Sequence, residues 1–243
     1  MSGAVEQPSS ELLEDLVAAN RILYAQKIVD GLGHVSIRHD KNPNLYVMAA
    51  ERAPGLVSRN DLAIYDLDSI AQTLADRRPY NERFIHGEIY KARPDVRSIV
   101  HCHTPSLLPF AVCKQADLRP LYHMSGFLGR GAARFEIRDF AGAATDLLVS
   151  TPALGKSLAG CLGDKQLILM RGHGATLVGE TVRHSVYRAI YAAINATVQA
   201  EAMRLGEVTY LSPEEAESGM NINDRFNQRS WELWKLEALG GMK

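Results

Sequence analysis

The chain has 243 residues, of which 46% are hydrophobic and 23% charged, an ordinary globular composition that argues against disorder or a fibrous repeat. Its 27 Lys and Arg residues are balanced by 28 Asp and Glu residues along the whole chain, so no basic stripe is available to bind nucleic acid. The three cysteines lack C-x-x-C spacing, and neither a signal peptide nor a bilayer-spanning apolar run is present, so we expect a soluble, cytoplasmic protein with reduced thiols and no membrane partner.

The first half of the chain predicts a helix, a group of short strands and a second helix. Apolar residues at helical spacing predict a helix over 9–30, which the following glycines end. The runs HVSIRH, LYVMAA and LAIYDLD are rich in β-forming residues and are separated by turn residues, so they predict three strands. A second helix is expected over 81–93, because Pro94 disfavours helix at the residue before it, and it leads into the strand SIVHCH.

The second half is less regular over 104–140 and then becomes clearly periodic. A helix is predicted over 144–163, followed by the buried strand QLILM and the glycine-framed turn RGHGAT. The long segment 181–205 predicts a central helix, and RFNQRSWELWKLEALGG predicts a final one. No linker divides the chain, so we expect one domain over 1–243, with 207–243 as a tail that packs on the body or on a neighbouring subunit.

The stretch SIVHCHTP places His101 and His103 on either side of a cysteine at the end of an apolar run. Side chains alternate between the two faces of a strand, so both imidazoles point the same way and lie within reach of one ion. Cys102 points to the opposite face, where we expect it to pack in the core. Two ligands rarely make a metal site, so two hydrogen-bonded polar residues at a strand end remain the alternative unless a third ligand is present.

A third histidine and an acid could complete such a site. His173 lies between two glycines directly after the apolar strand LILM, where a side chain can project into a cleft, although lone histidines in turns are common at surfaces. Glu82 lies near the start of the helix that leads into the H-x-H strand. A carboxylate there can cap the helix or, beside three imidazoles, bind the ion or exchange a proton with substrate. His86, one turn later, is interpreted as a packed or supporting residue.

Together these motifs resemble the class II aldolase/adducin family. The matching pieces are GLGHVSIRH, NERFIHGEIYKARPDVRSIVHCHTP and LILMRGHGATLVGETVRHSVYRAI. The resemblance implies an α/β fold, with a three-layer α/β/α domain around a mainly antiparallel central sheet, assembled as a homotetramer with active sites at subunit interfaces. It also implies one divalent metal ion per subunit, held by His101, His103 and His173, with Glu82 as a further ligand or as a catalytic acid/base.

Two stretches differ from the sugar-phosphate aldolases of that family. GLGHVS has His34 where those enzymes usually have asparagine, and PYNE has Tyr80 and Asn81 in place of two small hydroxyl residues. These changes remove space and hydrogen bonds for a phosphate. GHVSIRH, ERFIH, HMSGFLG and RGHGATLVG instead resemble the subgroup that includes 3-hydroxy-2-methylpyridine-4,5-dicarboxylate decarboxylase and 3,4-dihydroxyphthalate decarboxylase.

From this resemblance we predict a divalent-metal-dependent lyase that decarboxylates a hydroxylated aromatic or heteroaromatic (di)carboxylate, the metal stabilising an enolate- or phenolate-like species. We expect zinc or manganese, with cobalt, iron and magnesium as the alternatives. His34, Ser36, Arg38 and Arg171 are candidates for substrate contacts or are solvated strand-end residues. Two alternatives are an aldolase or epimerase acting on a sugar or hydroxy-keto acid, with Tyr210 as a candidate proton donor, and an adducin-like binding module without catalysis.

Overall fold

A seven-stranded mixed sheet forms the middle layer of the protein, seen in a computed structural model that describes residues 5–74 and 77–240. Its strands, in chain order, are β1 (His34–Arg38), β2 (Leu45–Ala49), β3 (Leu62–Asp66), β4 (Ser98–Cys102), β5 (Ala133–Phe135), β6 (Leu167–Met170) and β7 (Gly174–Gly179). They are arranged in the order β3-β2-β1-β4-β7-β6-β5. All neighbours are antiparallel except β5 and β6, which are parallel.

Helices cover both faces of the sheet. They are α1 (Ser10–Ala25), α2 (Arg83–Ala92), α3 (Leu108–Val112), α4 (Arg138–Ala141), α5 (Pro152–Leu162), α6 (Val182–Leu205) and α7 (Pro213–Ala238). On one face, α1 and α6 pack against sheet residues such as Val100 and Leu177. On the other, α2 and α5 pack against Ile99 and Val178, the neighbours that alternation along a strand places on the opposite face. The predicted three-layer α/β/α fold is thus confirmed, with a mixed sheet that is mainly antiparallel.

Strand β7 was not predicted, because the sequence RGHGAT indicated only a turn. In the structure the turn ends at His173, and Gly174 begins a buried strand between β4 and β6. A Cβ atom added at Gly174 would lie 2.2 Å from the carbonyl oxygen of Cys102, so only glycine allows the two strands to approach this closely. The strand is buried along its whole length and therefore lacks the polar-apolar alternation that marks an exposed strand.

The helix predicted over 144–163 is shorter than expected, and this prediction was wrong for its first half. Helix α5 begins only at Pro152, and the Thr151 side chain caps it by accepting a hydrogen bond from the Leu154 N–H. Before the cap, the chain forms a loop in which Leu147 has a φ of 69°. A left-handed residue cannot continue an α-helix, so the apolar spacing of this segment does not lead to helical structure.

The last helix, α7, is longer than predicted and packs on the body of the same chain. It begins at Pro213, behind a capping box in which Ser212 and Glu215 satisfy each other's backbone N–H groups. Trp231 is buried against the α1 and α6 layer, and Lys235 pairs with acidic side chains of α1. The end of the predicted tail, 241–243, lies outside the described residues. Within the described part of the chain, none of the helices has the length and apolar character needed to cross a bilayer.

Candidate metal centre

Three imidazole rings meet where β4 ends beside the turn between β6 and β7. His101 lies in β4, His103 directly follows that strand, and His173 lies in the turn. The antiparallel pairing of β4 with β7 sets Cys102 opposite Ala175, which brings the strand end and the turn together. The Nε2 atom of each histidine lies 3.1 Å from the Nε2 atoms of the other two.

Hydrogen bonds on the far side of two rings determine which nitrogen carries the proton. The Nδ1–H of His173 donates to the carbonyl oxygen of Leu147 at 2.9 Å. The Nδ1 of His101 lies 3.0 Å from Oγ1 of Thr176, which can accept a proton from Nδ1 while it donates its own to the sulfur of Met170, and in this arrangement Nδ1 is the donor here too. In the neutral rings Nε2 is then unprotonated, and its lone pair points to the centre of the cluster, as in metal-binding histidines.

Glu82 forms the fourth side of the cluster. Its Oε2 lies 3.3 Å from Nε2 of His173 and 3.6 Å from Nε2 of His101, and its Oε1 accepts a hydrogen bond from the Val149 N–H at 3.0 Å. The side chain makes no hydrogen bond that caps α2. Burial raises the pKa of Glu82, but His101 and His173 outweigh burial and hold the pKa well below its usual range. The carboxylate is therefore ionised and faces the imidazoles.

This set of donor atoms fits a divalent cation. One ligand atom from each of the four residues lies within 4.8 Å of the others. An ion about 2.1 Å from each imidazole nitrogen can contact all three Nε2 atoms of a triangle whose sides are 3.1 Å. Burial lowers the pKa of His101 well below its usual value, and the neutral imidazole is the form that binds metals. Imidazole with carboxylate suits zinc, manganese and several other divalent ions.

A cavity of about 440 Å³ opens beside Glu82 and His103. The rings of His34 and Tyr80, 5.0 Å apart, form part of its wall. The remaining lining residues are Gly31, Leu32, Gly33, Glu51, Arg52, Ala53, Arg78, Pro79, Asn81 and Leu148. Its size and its mixture of flat rings with charged side chains are typical of a site for a small polar molecule.

The sequence reasoning missed Arg52 and Arg78, which both line this cavity. The Arg52 guanidinium also lies near the Leu56 carbonyl oxygen and Asp61. Both arginines lie in loops, where no periodic pattern predicts the direction of a side chain. The only signal in the sequence was the basic pair of DRRPY immediately before the PYNE stretch. Guanidinium groups bind carboxylates well, so these two residues favour an anionic ligand.

The structure separates the four residues that we expected to contact substrate. His34, the first residue of β1, lines the cavity. Ser36 and Arg38 lie further along β1 and are buried, and the Arg38 guanidinium donates to backbone carbonyl oxygens. Arg171 pairs with Glu136 at 2.6 Å. The last three are not among the residues that line this cavity in the single chain.

A comparison with known families identifies the chain. The family model for the Class II Aldolase and Adducin N-terminal domain matches residues 14–200, which include all four residues of the cluster. The chain belongs to the class II aldolase/adducin family. Class II aldolases use a divalent metal, and the cluster described above is a suitable place for one.

Individual relatives within the family include decarboxylases and aldolases. The chain is 35% identical to decarboxylase tropJ of Talaromyces stipitatus in an alignment of 257 positions that covers 96% of each protein. It is 28% identical to 3,4-dihydroxyphthalate decarboxylase of Rhodococcus jostii, over 70% of this chain and 72% of that protein. The structure of an L-fuculose 1-phosphate aldolase from Glaciozyma antarctica matches with a TM-score of 0.78 and 21% identity, over 97% of this chain and 96% of the other. This last likeness shows a shared fold.

Proposed function

We propose that the protein is a divalent-metal-dependent decarboxylase of a hydroxylated aromatic or heteroaromatic carboxylate. The observation that carries the proposal is the cluster of His101, His103, His173 and Glu82 at the edge of a cavity that two arginines also line. That the chain is a carbon–carbon lyase follows from its family and from the decarboxylases among its relatives. The class of substrate and the need for a metal are the proposed steps.

Groups in the cavity can bind and orient such a substrate. Arg52 and Arg78 supply positive charge for a carboxylate. The partly buried ring of Tyr80 offers a flat surface on which an aromatic ring can pack. A divalent ion held by the three imidazoles would supply Lewis-acid stabilisation of a substrate oxygen that gains electron density as carbon dioxide leaves.

Decarboxylation also requires a proton to replace the lost carboxyl group on carbon. Glu82 borders the cavity and is held in place by the Val149 N–H, so it is the group we assign to holding and delivering that proton. The ionised carboxylate would first take up a proton, either from the substrate hydroxyl or from water, and then pass it to the ring carbon. The same carboxylate is close enough to the imidazoles to serve as a metal ligand in the absence of substrate.

The cavity is less suited to a sugar phosphate. The hydroxyl of Tyr80 donates to the Arg52 carbonyl oxygen and accepts from the Arg52 N–H at 3.2 Å, so it is not free to bind a phosphate. The neighbouring Asn81 stands where the family's aldolases have a small hydroxyl residue, as noted for the sequence. These observations favour decarboxylation over the aldolase reaction as the first activity to test.

We further propose that the whole chain, 1–243, acts as one domain in a homotetramer. Apolar side chains that are about half exposed support this assembly, because α6 and α7 present Val198, Phe226 and Leu233 to solvent in the single chain. Size-exclusion chromatography with light scattering should report a mass four times that of the chain, and a monomer would contradict the proposal.

Tyr210, the candidate proton donor of the aldolase alternative, binds Gln199 and the Arg119 guanidinium within its own chain.

Product analysis with paired substrates tests the proposed reaction. Purified, metal-supplemented protein should release carbon dioxide from 3,4-dihydroxyphthalate or a hydroxypyridine dicarboxylate. It should not do so from phthalate, which lacks the hydroxyl group that an ion could bind beside the carboxylate. Mass spectrometry should detect the product that has lost one carboxyl group. Aldehyde formation from L-fuculose 1-phosphate, with no carbon dioxide from any hydroxylated carboxylate, would contradict the proposal and favour the aldolase alternative.

A further inference from the structure

A chain of hydrogen bonds runs from the cavity into the core through four side chains. Nδ1 of His34 lies 2.7 Å from Nε2 of His86, and Nδ1 of His86 lies 2.6 Å from Oγ of Ser36. Oγ of Ser36 in turn lies 2.7 Å from the hydroxyl of Tyr90. The last three side chains are inaccessible to solvent, whereas His34 borders the cavity. Each contact is short enough to hold one proton between its two heavy atoms.

The far end of this chain sets the direction in which all its protons point. Among the described residues, Ser36 Oγ is the only acceptor within hydrogen-bond distance of the Tyr90 hydroxyl, so the phenol must donate to it. Ser36 then gives its own proton to Nδ1 of His86, whose other nitrogen, Nε2–H, donates to Nδ1 of His34. The opposite direction would leave the buried phenol proton without an acceptor, which proteins avoid.

His34 is the end of the chain at the cavity. Because its Nδ1 accepts a hydrogen bond, the proton of the neutral ring resides on Nε2. Nε2 has no hydrogen-bond partner among the residues that the structure describes. His34 also lies opposite His101 in the pairing of β1 with β4, and the two rings stack with centroids 4.9 Å apart. The ring is thus held both by its hydrogen bond and by the ring of a candidate metal ligand.

We propose that His86, Ser36 and Tyr90 are positioning residues that hold His34 as an Nε2–H donor for a carboxylate of the bound molecule. A fixed donor stabilises an acceptor oxygen and disfavours a ligand group that must itself donate. The arginines that line the same cavity favour the same kind of anionic group. The identity of the ligand rests on the proposed function, whereas the proton position on His34 follows from the hydrogen-bond chain alone.

Solid-state ¹⁵N NMR of zinc-loaded protein labelled at histidine tests the proton position directly. In a neutral imidazole, the nitrogen that carries the proton has a different chemical shift from the nitrogen that does not. The His34 signals are assigned by their loss in His34→Gln. We expect the proton of His34 on Nε2.

Ser36→Ala tests the role of the hydrogen-bond chain. Without the Ser36 hydroxyl, Nδ1 of His86 has no partner whichever way the His86–His34 hydrogen bond points, so we expect His34 to show both tautomers. In Ser98→Ala, which removes another buried serine hydroxyl from the adjacent strand, the tautomer should not change. A proton on Nδ1 of His34 in the wild type, or no change in Ser36→Ala, would overturn the proposal.

Binding of phthalate, which the proposed reaction does not consume, tests the carboxylate contact separately from catalysis. Replacing the donor in His34→Leu should weaken phthalate binding about 10-fold or more, the usual effect of losing a hydrogen bond to a charged group. His34→Gln retains an N–H donor and should recover part of the loss. Catechol, which has no carboxylate, should bind with equal affinity to wild type, His34→Leu and His34→Gln. Equal phthalate affinities in all three would refute the carboxylate contact, whatever the outcome of the carbon dioxide assay.

Discussion

At the scale of single residues, Glu82 is notable because its two oxygens have different neighbours. Oε1 accepts a hydrogen bond from the backbone of the loop before α5, and Oε2 faces the imidazoles of His101 and His173. The first contact fixes the orientation of the carboxylate, and the second places its charge beside the candidate metal position. Orientation and charge can therefore be separated by a substitution that retains one and removes the other.

Glu82→Gln should preserve the contact with Val149 and remove the negative charge. We expect carbon dioxide release to fall about 100-fold or more, because a general acid/base contributes on that order, and we expect weaker metal binding. Glu88→Gln is a matched control, since Glu88 lies on α2, the helix that Glu82 precedes, and has the same exposure of 8% but pairs with Lys91 outside the cluster. Steady-state rates and metal titrations would measure both effects. Equal losses in the two variants would show that Glu82 has no special role.

At the scale of elements, two segments without regular structure hold the site together. The turn between β6 and β7 carries His173, and the loop before α5 contacts it from the other side. The carbonyl oxygen of Leu147 orients the His173 ring, and the N–H of Val149 orients Glu82. Backbone groups of one loop thus position two of the four side chains in the cluster.

Gly174→Ala should disturb this arrangement strongly. The new Cβ would lie 2.2 Å from the Cys102 carbonyl oxygen, so the β4 and β7 strands would have to separate beside His103 and His173. We expect a loss of about 3 kcal/mol or more in the free energy of unfolding, together with weaker metal binding. Thermal and chemical unfolding would measure the change.

Gly160→Ala is the control for that substitution. Gly160 lies within α5, where an added Cβ meets no atom within 4 Å. Alanine in a helix interior is favoured over glycine, so this variant should gain about 0.5–1 kcal/mol. If Gly174→Ala instead kept or raised the free energy of unfolding, as we expect of Gly160→Ala, the result would contradict the close strand contact seen in the structure.

The same elements show what the sequence could and could not predict. Alternation along a strand was enough to orient His101 and His103, because that rule depends only on local geometry. The segment 144–151 has helical apolar spacing, but its conformation depends on contacts with Glu82 and His173, which are distant in sequence. The cavity position of Arg78 likewise depends on how separate loops pack together. Local patterns do not contain that information.

At the scale of the whole molecule, both faces of the sheet combine an apolar core with buried polar groups. On the face covered by α1 and α6, helix α6 buries Arg188 and Asn195. The face covered by α2 also buries ionisable groups, including His86, which is fully inaccessible to solvent. Burial lowers the pKa of His86 to about 3. Folding therefore requires this ring to be neutral.

This burial predicts a dependence of stability on pH. An imidazole in the unfolded chain has a pKa of about 6.5, so between that value and the folded value the unfolded state binds more protons. The contribution of the neutral His86 ring to the stability of the folded state is fully present above pH 6.5 and declines as the pH falls towards 3. Between pH 7 and pH 5, wild-type protein should lose about 2 kcal/mol more unfolding free energy than His86→Asn. Chemical unfolding at both pH values measures this, and the exposed His123→Asn should behave as wild type. Equal losses in wild type and His86→Asn would contradict the prediction.

The measurement that tests the central proposal most directly is carbon dioxide release from 3,4-dihydroxyphthalate by one preparation in three states: as purified, after removal of metal by a chelator, and after return of zinc or manganese. We predict activity in the first state, its loss in the second and its recovery in the third, with no recovery in His101→Ala. The His101→Ala protein should also bind less metal, as measured by elemental analysis. Full activity in the chelated protein, or full metal content and activity in His101→Ala, would contradict the proposal.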